Sequence, residues 1–471
     1  MINIFNRIYK NFFYLSLNLT NIIINKYLLI PLIINYWGIN IFNDWILISN
    51  LIMQLSFLEI GCKSYLSSKL GRSTKEKVMY YFSYATLMNV AITFLSLLVF
   101  LFCLFYGIDE LYTFNIKKNE FYYVLFILGI GFIINIFIGS IGEIILRPLG
   151  FYHKYLKIDL FANLIINLVL VLIIIFNFNM ILFALANSSL LSLKIYFLLK
   201  YCKNNQIVIK KLQLSLIKIK KIKIIIYNGF FFLLGNITQT INTSTFILVA
   251  ATTVQNSIVA LFVIFRTMAN FPINFSNIFN SAFFYEYTKD KYRNFKNDYY
   301  LLLLQIKISN YVVISLIFLL YIFSDEILKF WIKNSIQIND SIFNILLLSS
   351  AVKGISFTLI NYLNAKNNQV QLNSFLFIFS IISLPVVYII TNKFNLYGFA
   401  IFLLIYDIIY LFINVYFIFT KNKEFLIGVI FEILKIFLLG ICIYINTIYI
   451  FLYFFLVLFD LISYYKNLSK I

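Results

Sequence analysis

The chain has 471 residues, of which 62% are hydrophobic, 20% are aromatic and only 12% are charged. Soluble domains carry about 25% charged residues, so this composition excludes an ordinary soluble fold. The net charge of +20 lies in short segments between apolar runs, which indicates membrane topology and argues against nucleic-acid binding.

The apolar runs predict fourteen membrane-spanning helices, since a hydrocarbon core about 30 Å thick takes about 20 apolar residues to cross. The predicted spans lie near residues 11–34, 41–62, 79–108, 121–146, 158–176, 180–199, 224–251, 257–284, 299–323, 341–364, 370–391, 396–419, 424–445 and 448–464. We therefore predict an all-α polytopic membrane protein with 12–14 transmembrane helices in two six-helix bundles plus a C-terminal helix pair. The predicted parts are an N-terminal six-helix half, a linker, a C-terminal six-helix half and the terminal pair, at residues 1–199, 200–223, 224–420 and 421–471.

The linker gives the orientation of the chain. Residues 200–223 hold eight lysines and no acidic residue, and loops rich in Lys and Arg tend to stay in the cytoplasm. With this linker inside, 27 Lys and Arg fall on the cytoplasmic side and five on the other. Both termini are therefore predicted to be cytoplasmic.

The two halves carry short matches at one fixed offset. Asn18-Leu19-Thr20 matches Asn236-Ile237-Thr238, and Phe176-Asn177 matches Phe394-Asn395, both 218 residues apart. Because each half has an even number of predicted spans, duplication would give parallel repeats about an axis along the membrane normal.

Six basic residues fall inside predicted spans, where a charge costs roughly 2.5–3.5 kcal/mol on insertion scales, and four of the six are candidates for substrate binding. They are Lys26, Arg266, Lys307 and Lys353. We interpret them as cavity cations that bind an anionic substrate. The alternative is that they pair with acids, as Lys353 would with Asp407, or snorkel to an interface, as Lys307 would.

Polar residues in the spans suggest two further roles. Glu59 and Asp407 are the candidate carboxylates for a coupling proton or sodium ion. Span seven is unusually hydrophilic and is predicted to line a wet cavity, with hydrogen bonding between helices as the alternative. The predicted cavity lining consists of Asn18, Asn236, Thr238, Gln239 and Asn242.

The sequence predicts neither a cofactor nor a metal site. The chain has one histidine, His153, and four widely spaced cysteines without a Cys-x-x-Cys motif, which excludes a Cys/His metal site. It also lacks the glycine-rich phosphate loop of an ATPase.

Several loose motifs together resemble a known family. They are Tyr36-Trp37-Gly38, the segment 57–61 (Phe-Leu-Glu-Ile-Gly), Arg147-Pro148-Leu149-Gly150 and the segment 361–366 (Asn-Tyr-Leu-Asn-Ala-Lys). With the predicted topology, the chain resembles the polysaccharide-repeat-unit (O-antigen type) flippases of the multidrug/oligosaccharidyl-lipid/polysaccharide exporter superfamily.

The resemblance implies a flippase of the bacterial inner membrane, not an enzyme, that moves undecaprenyl-pyrophosphate-linked oligosaccharides by alternating access. Its partners would be the lipid-linked oligosaccharide, the bilayer and other polysaccharide-assembly membrane proteins. Lys26 and Arg266 match two positions at which lipid II flippases of the superfamily carry essential arginines. Span two has no basic residue before Lys63, and this departure argues for a head group other than that of lipid II.

Two alternatives stay open at this point. A cation-coupled multidrug exporter of the same superfamily would share the fold, but it would use membrane carboxylates rather than an excess of cations. A membrane glycosyltransferase or polymerase would need catalytic acids in an outer loop, for which Asp109-Glu110 and Asp325-Glu326 are the candidates.

Overall fold

The computed structural model describes most of the chain in nine segments. These are residues 27–55, 114–147, 151–204, 219–254, 256–289, 295–332, 340–365, 369–419 and 425–445, with the isolated positions 13, 14, 16, 17, 21, 65, 66, 81, 84, 98, 149, 457 and 460. Within these segments the regular structure is helical, and six helical segments are long and apolar enough to cross a membrane. A bent helix pair makes a seventh. The chain is thus an all-α polytopic membrane protein, as the sequence predicts.

The chain divides into two compact units. Unit 1 comprises Met1–Ala260 and Asn373–Leu384, and unit 2 comprises Leu261–Leu372 and Pro385–Ile471. Most of the predicted basic linker lies outside the described residues, and the predicted division into two six-helix halves stays a prediction.

Unit 1 is built from helices with short breaks between them. Its helices are α1 (Tyr27–Trp37), α2 (Ile39–Met53), α3 (Lys118–Ser140), α4 (Tyr152–Ile175), α5 (Met180–Ser189), α6 (Leu191–Asn204), α7 (Ile219–Thr240) and α8 (Phe246–Ala251). A π-helical turn extends α3 over Ile141–Leu146, and another joins α7 to α8 over Ile241–Thr245. Such turns are frequent at functional sites.

Small residues let α3 and α5 approach closely in unit 1. A Cβ added to Gly131 would meet the side chain of Ser188, and the Ser188 hydroxyl donates to the Ile127 carbonyl at 2.9 Å. Without a hydrophobic driving force between helices in lipid, close packing of this kind and interhelical hydrogen bonds hold spans together.

Unit 2 is organised around one nearly fully buried helix. Its helices are α9 (Asn256–Ala269, which begins in unit 1), α10 (Phe271–Lys289), α11 (Phe295–Ile322), α12 (Ser324–Ile332), α13 (Asp340–Ala365), the second part of α14 (Gln369–Phe419) and α15 (Phe425–Ile445). In the most apolar stretch of α13, 78% of the residues are buried, against 28% in the corresponding stretch of α4. Helix α13 is therefore the core of this unit.

A buried hydrogen-bond network fixes how α10, α11 and α13 pack. Asn280 Oδ1 on α10 accepts from Gln305 Nε2 on α11 at 2.8 Å and from Thr358 Oγ1 on α13 at 3.1 Å. Ser276 and Ser309 are joined by a 2.5 Å hydrogen bond between their hydroxyls. These shared hydrogen bonds specify one register of the three helices, because any sliding would unpair buried polar atoms.

The asparagines of both matched Phe-Asn pairs have a positive φ angle. Asn177, between α4 and α5, has φ 54°, and Asn395, inside α14, has φ 52°. Positive φ is uncommon in residues other than glycine, and asparagine is among the residues enriched there. Asn395 also divides α14, whose 49-residue apolar stretch would extend about 74 Å as one straight helix. The break lies where the sequence predicts the turn between spans eleven and twelve.

Candidate functional site

Arg266 lies at a break between two helices of unit 2. It occupies the last turn of α9, and α10 begins at Phe271 with Pro272 as its second residue. Proline removes a backbone donor and clashes with the preceding turn, which accounts for the 45° bend between the two helices. The partial negative charge of a helix C-terminus favours a cation there, by about 0.3–1 kcal/mol. The arginine is only 6% exposed.

Lys353 and Asp407 form a buried pair in the same unit. Lys353 Nζ lies 3.8 Å from Asp407 Oδ1. The other carboxylate oxygen accepts from the Ser349 hydroxyl at 2.5 Å. Lys353 is 6% exposed and Asp407 is 1% exposed. Because Ser349 and Lys353 are one turn apart on α13, both reach the same carboxylate on α14.

Arg266, Lys353 and Asp407 form one electrostatic cluster, which we call the cation cluster. Asp407 attracts both Arg266 and Lys353, while the two cations repel each other. The three groups carry two positive charges and one negative charge, so the cluster as defined has one positive charge in excess. Charges at membrane depth are expensive and mark ion or substrate paths, and this excess suits an anionic ligand.

Lys307 lies in a different group of charges in unit 2, which we call the balanced cluster. Its members are Lys307, Glu432, Lys435 and Asp460. Lys307 Nζ is 2.9 Å from Asp460 Oδ2 and 3.9 Å from Glu432 Oε1. Lys435 bonds Glu432 at 2.7 Å and also contacts Asp460. The charges of two lysines and two carboxylates cancel, so this cluster attracts an anion less strongly than the cation cluster does.

The polar run of span seven bonds largely within unit 1. Thr238, 1% exposed, donates to the Leu234 carbonyl of its own helix at 2.8 Å. In the adjoining π-turn, Ser244 Oγ accepts from Gln54 Nε2 at 3.0 Å, and Thr245 Oγ1 donates to Gln54 Oε1 at 2.9 Å. These contacts favour the helix–helix alternative for this part of the run.

The other predicted lining residues of span seven differ in exposure. Gln239 is exposed, Asn236 is partly buried and Asn242 is 6% exposed. Three further predicted site residues, Lys26, Asn18 and Glu59, lie outside the described residues.

Sequence reasoning missed two carboxylates of unit 1. Asp44, on α2, is fully buried and accepts from the backbone N–H groups of Asn115 and Ile116 at 2.9 and 3.0 Å. Asp159, on α4, pairs with Lys194 on α6 at 2.8 Å. Pairing every acid in a predicted span with every base in a neighbouring span would have found the second pair.

The described residues contain no group of three or more His, Cys, Asp or Glu side chains that would hold a metal ion.

Comparison with known proteins identifies the fold. No family model matches the chain, and no curated protein matches it. The MATE multidrug transporter DinF-BH, solved in complex with a ligand, is similar in structure, with a TM-score of 0.67 and 16% identity over 88% of this chain and 95% of that one. The Vibrio cholerae MATE transporter VcmN in its bent form is also similar, with a TM-score of 0.59 and 13% identity over 90% of this chain and 98% of that one.

A flippase shows the same likeness over more of the chain. The lipid II flippase MurJ, in an inward closed conformation, is similar with a TM-score of 0.57 and 17% identity, over 98% of this chain and 98% of that one. The chain is thus a multi-pass membrane protein whose fold is that of the MATE transporters and MurJ.

Proposed function

We propose that the chain is a flippase that translocates undecaprenyl-pyrophosphate-linked oligosaccharide repeat units across the bacterial inner membrane by alternating access, in surface polysaccharide biosynthesis. The observation that carries the proposal is the cation cluster, in which buried Arg266 and Lys353 both interact with the carboxylate of Asp407. The fold likeness to MurJ and the MATE transporters supports transport over enzymatic activity.

The chemistry of a pyrophosphate matches this cluster. Arginine presents a planar fork of donors that binds phosphate oxygens in pairs, and lysine supplies a compact charge. The excess positive charge would offset part of the cost of bringing the anion to this depth. Asp407 and Ser349 would hold Lys353 in position while the substrate is absent.

A multidrug exporter is the second candidate, favoured by the structural likeness to the multidrug transporter DinF-BH. Exporters of cationic drugs need a site that attracts cations, and the cation cluster would repel them. Deleting the gene should leave drug resistance unchanged under the flippase proposal. A deletion strain that becomes sensitive to cationic dyes and recovers with the gene would favour the exporter.

The polymerase alternative rests on two pairs of acids. Asp109 and Glu110 lie outside the described residues, whereas Asp325 and Glu326 are exposed in the first turn of α12. Acids at a helix N-terminus are stabilised by the helix dipole, which accounts for this pair without catalysis. Alanine at Asp325 and Glu326 should leave the surface polymer intact.

The proposal is tested by replacing Arg266 and Lys353 singly with alanine in a strain that depends on the protein. Lipid-linked oligosaccharide is then measured on each leaflet together with protein abundance. Units should accumulate on the inner leaflet at normal abundance, while Lys329→Ala, at an exposed lysine of α12, should behave as wild type. Wild-type distribution in both cluster variants would refute the assignment.

The cellular context belongs to the same proposal. The protein would lie in the inner membrane with both termini in the cytoplasm, beside other membrane proteins of polysaccharide assembly. Tags at either terminus should resist protease in intact spheroplasts and become accessible when the membrane is opened.

A further inference from the structure

A cavity of about 650 Å³ lies within unit 1 and has no role in the proposal above. Helices α2 to α6 and Asn21 supply the side chains that line it. Its volume lies within the range of about 300–1,000 Å³ that small-molecule sites occupy. The size admits a ligand considerably larger than a single ion.

The charges of the two charged residues in the cavity lining, Asp159 and Lys194, cancel. Lys194 Nζ donates to Asp159 Oδ1 at 2.8 Å, and Asn163 Nδ2 donates to Asp159 Oδ2 at 3.1 Å. Lys194 is only 5% exposed. Because both carboxylate oxygens accept hydrogen bonds and the lysine neutralises the charge, the cavity favours a neutral ligand over a further ion.

One residue that lines the cavity, Asn21, has a buried donor without a partner among the described residues. Asn21 is 6% exposed, and its Oδ1 accepts from Asn167 Nδ2 at 3.1 Å. Its Nδ2 has no hydrogen-bond partner among the residues that the structure describes. Buried polar groups are almost always satisfied, so this amide lacks an acceptor that a ligand in the cavity beside it would supply.

The rest of the lining combines polar and aromatic groups. Asn135 and Asn187 contribute further carboxamides, and Trp45 and Tyr155 contribute rings. Each carboxamide both donates and accepts, as the hydroxyl groups of a sugar do. Trp45 is held edge-on against Phe183, with ring centroids 4.8 Å apart, and so offers an ordered apolar surface to the C–H face of a sugar ring.

We propose that this cavity binds a neutral sugar residue, with Asn21 donating to a sugar hydroxyl and the Asp159–Lys194 pair fixed as internal charge balance. The inference rests on the proposed function, because it assigns to unit 1 the recognition of the oligosaccharide part of the same substrate. The cavity thus provides a place where sugar identity is read separately from the pyrophosphate.

The test uses the full-length protein in detergent with Trp45 as its only tryptophan, since Trp37 and Trp331 can be changed to phenylalanine. Glucose, galactose and N-acetylglucosamine are titrated separately while Trp45 fluorescence is recorded, with sodium chloride and inorganic phosphate as ionic probes. At least one sugar should give a saturable change. Asn21→Leu should lower the affinity for that sugar by roughly 3- to 10-fold, as expected for the loss of one hydrogen bond.

A matched control is a buried asparagine outside the cavity. Asn414 in unit 2 is fully buried and also has an unpartnered amide atom, Oδ1, among the described residues. Asn414→Leu should bind the sugar as the parent does. If Asn21→Leu does not purify as a monodisperse protein, Asn135→Leu takes its place with the same expectation.

Three results would overturn the inference. These are no saturable response to any of the sugars, a response that Asn21→Leu leaves unchanged, or a saturable sodium response that Asp159→Asn abolishes. The last would make the cavity a cation site. Failure of the flippase proposal is distinguishable, because the protein would then bind sugar through Asn21 yet leave the leaflet distribution of lipid-linked oligosaccharide unchanged on deletion.

Discussion

The balanced cluster allows a quantitative test of charge compensation in unit 2. Glu432 is 1% exposed and accepts from Lys435 at 2.7 Å and from Asn310 at 3.0 Å. Glu432→Gln keeps the shape of the side chain but leaves two lysines facing the single carboxylate of Asp460. Removing one partner of a buried pair costs about 3–5 kcal/mol, so the unfolding equilibrium constant should rise by roughly two orders of magnitude or more.

A second change should rescue part of this loss. Adding Lys435→Met to Glu432→Gln leaves Lys307 opposite Asp460 and restores the balance of charge. The double variant should therefore be more stable than the sum of the single effects predicts, by about 1–3 kcal/mol. Thermal unfolding in detergent measures all three variants, with Glu326→Gln at an exposed acid as the control. Additive losses, or a Glu432→Gln protein that melts with the wild type, would refute the reasoning.

Two further predictions concern the backbone. Asn177→Ala and Asn395→Ala should each lower the free energy of unfolding by about 1–2 kcal/mol, because both exposed residues have positive φ and alanine is strained there. Glycine at the same positions should melt at or above the wild-type temperature. An equal loss of stability in the alanine and glycine variants would contradict the conformational explanation. Asp44→Ala should leave the backbone N–H groups of Asn115 and Ile116 without their charged acceptor, at a cost of about 1–3 kcal/mol. Hydrogen exchange of those two amides should accelerate in Asp44→Ala, and unchanged protection would show that the carboxylate does not hold this loop.

Features encoded locally could be read from the sequence. Phe176-Asn177 and Phe394-Asn395 recur at one offset, and both asparagines have the same sign and size of φ. Likewise Gly38, with φ 87°, separates α1 from α2 between the first two predicted spans, 11–34 and 41–62. A turn depends on a few neighbouring residues, so sequence pattern suffices to place it.

The partners of each charge could not be predicted in the same way. The sequence marks Lys307, Lys353 and Arg266 as cations at membrane depth, but which carboxylate each one meets depends on how its helix is rotated. The structure brings Lys353 and Arg266 to Asp407, and Lys307 to Asp460. Asp159 and Lys194 are an easier case, because they lie in neighbouring predicted spans and meet where α4 packs on α6.

The central claim is that the cation cluster serves translocation of a pyrophosphate-linked oligosaccharide. Its most direct test is transport by the purified protein in proteoliposomes that hold a fluorescent undecaprenyl-pyrophosphate oligosaccharide, with the outer leaflet read by a quencher. Wild type and Lys329→Ala should move the lipid between leaflets, and Arg266→Ala and Lys353→Ala should lose most of that rate while staying folded. No movement by the wild type, or equal rates in all four proteins, would contradict the account.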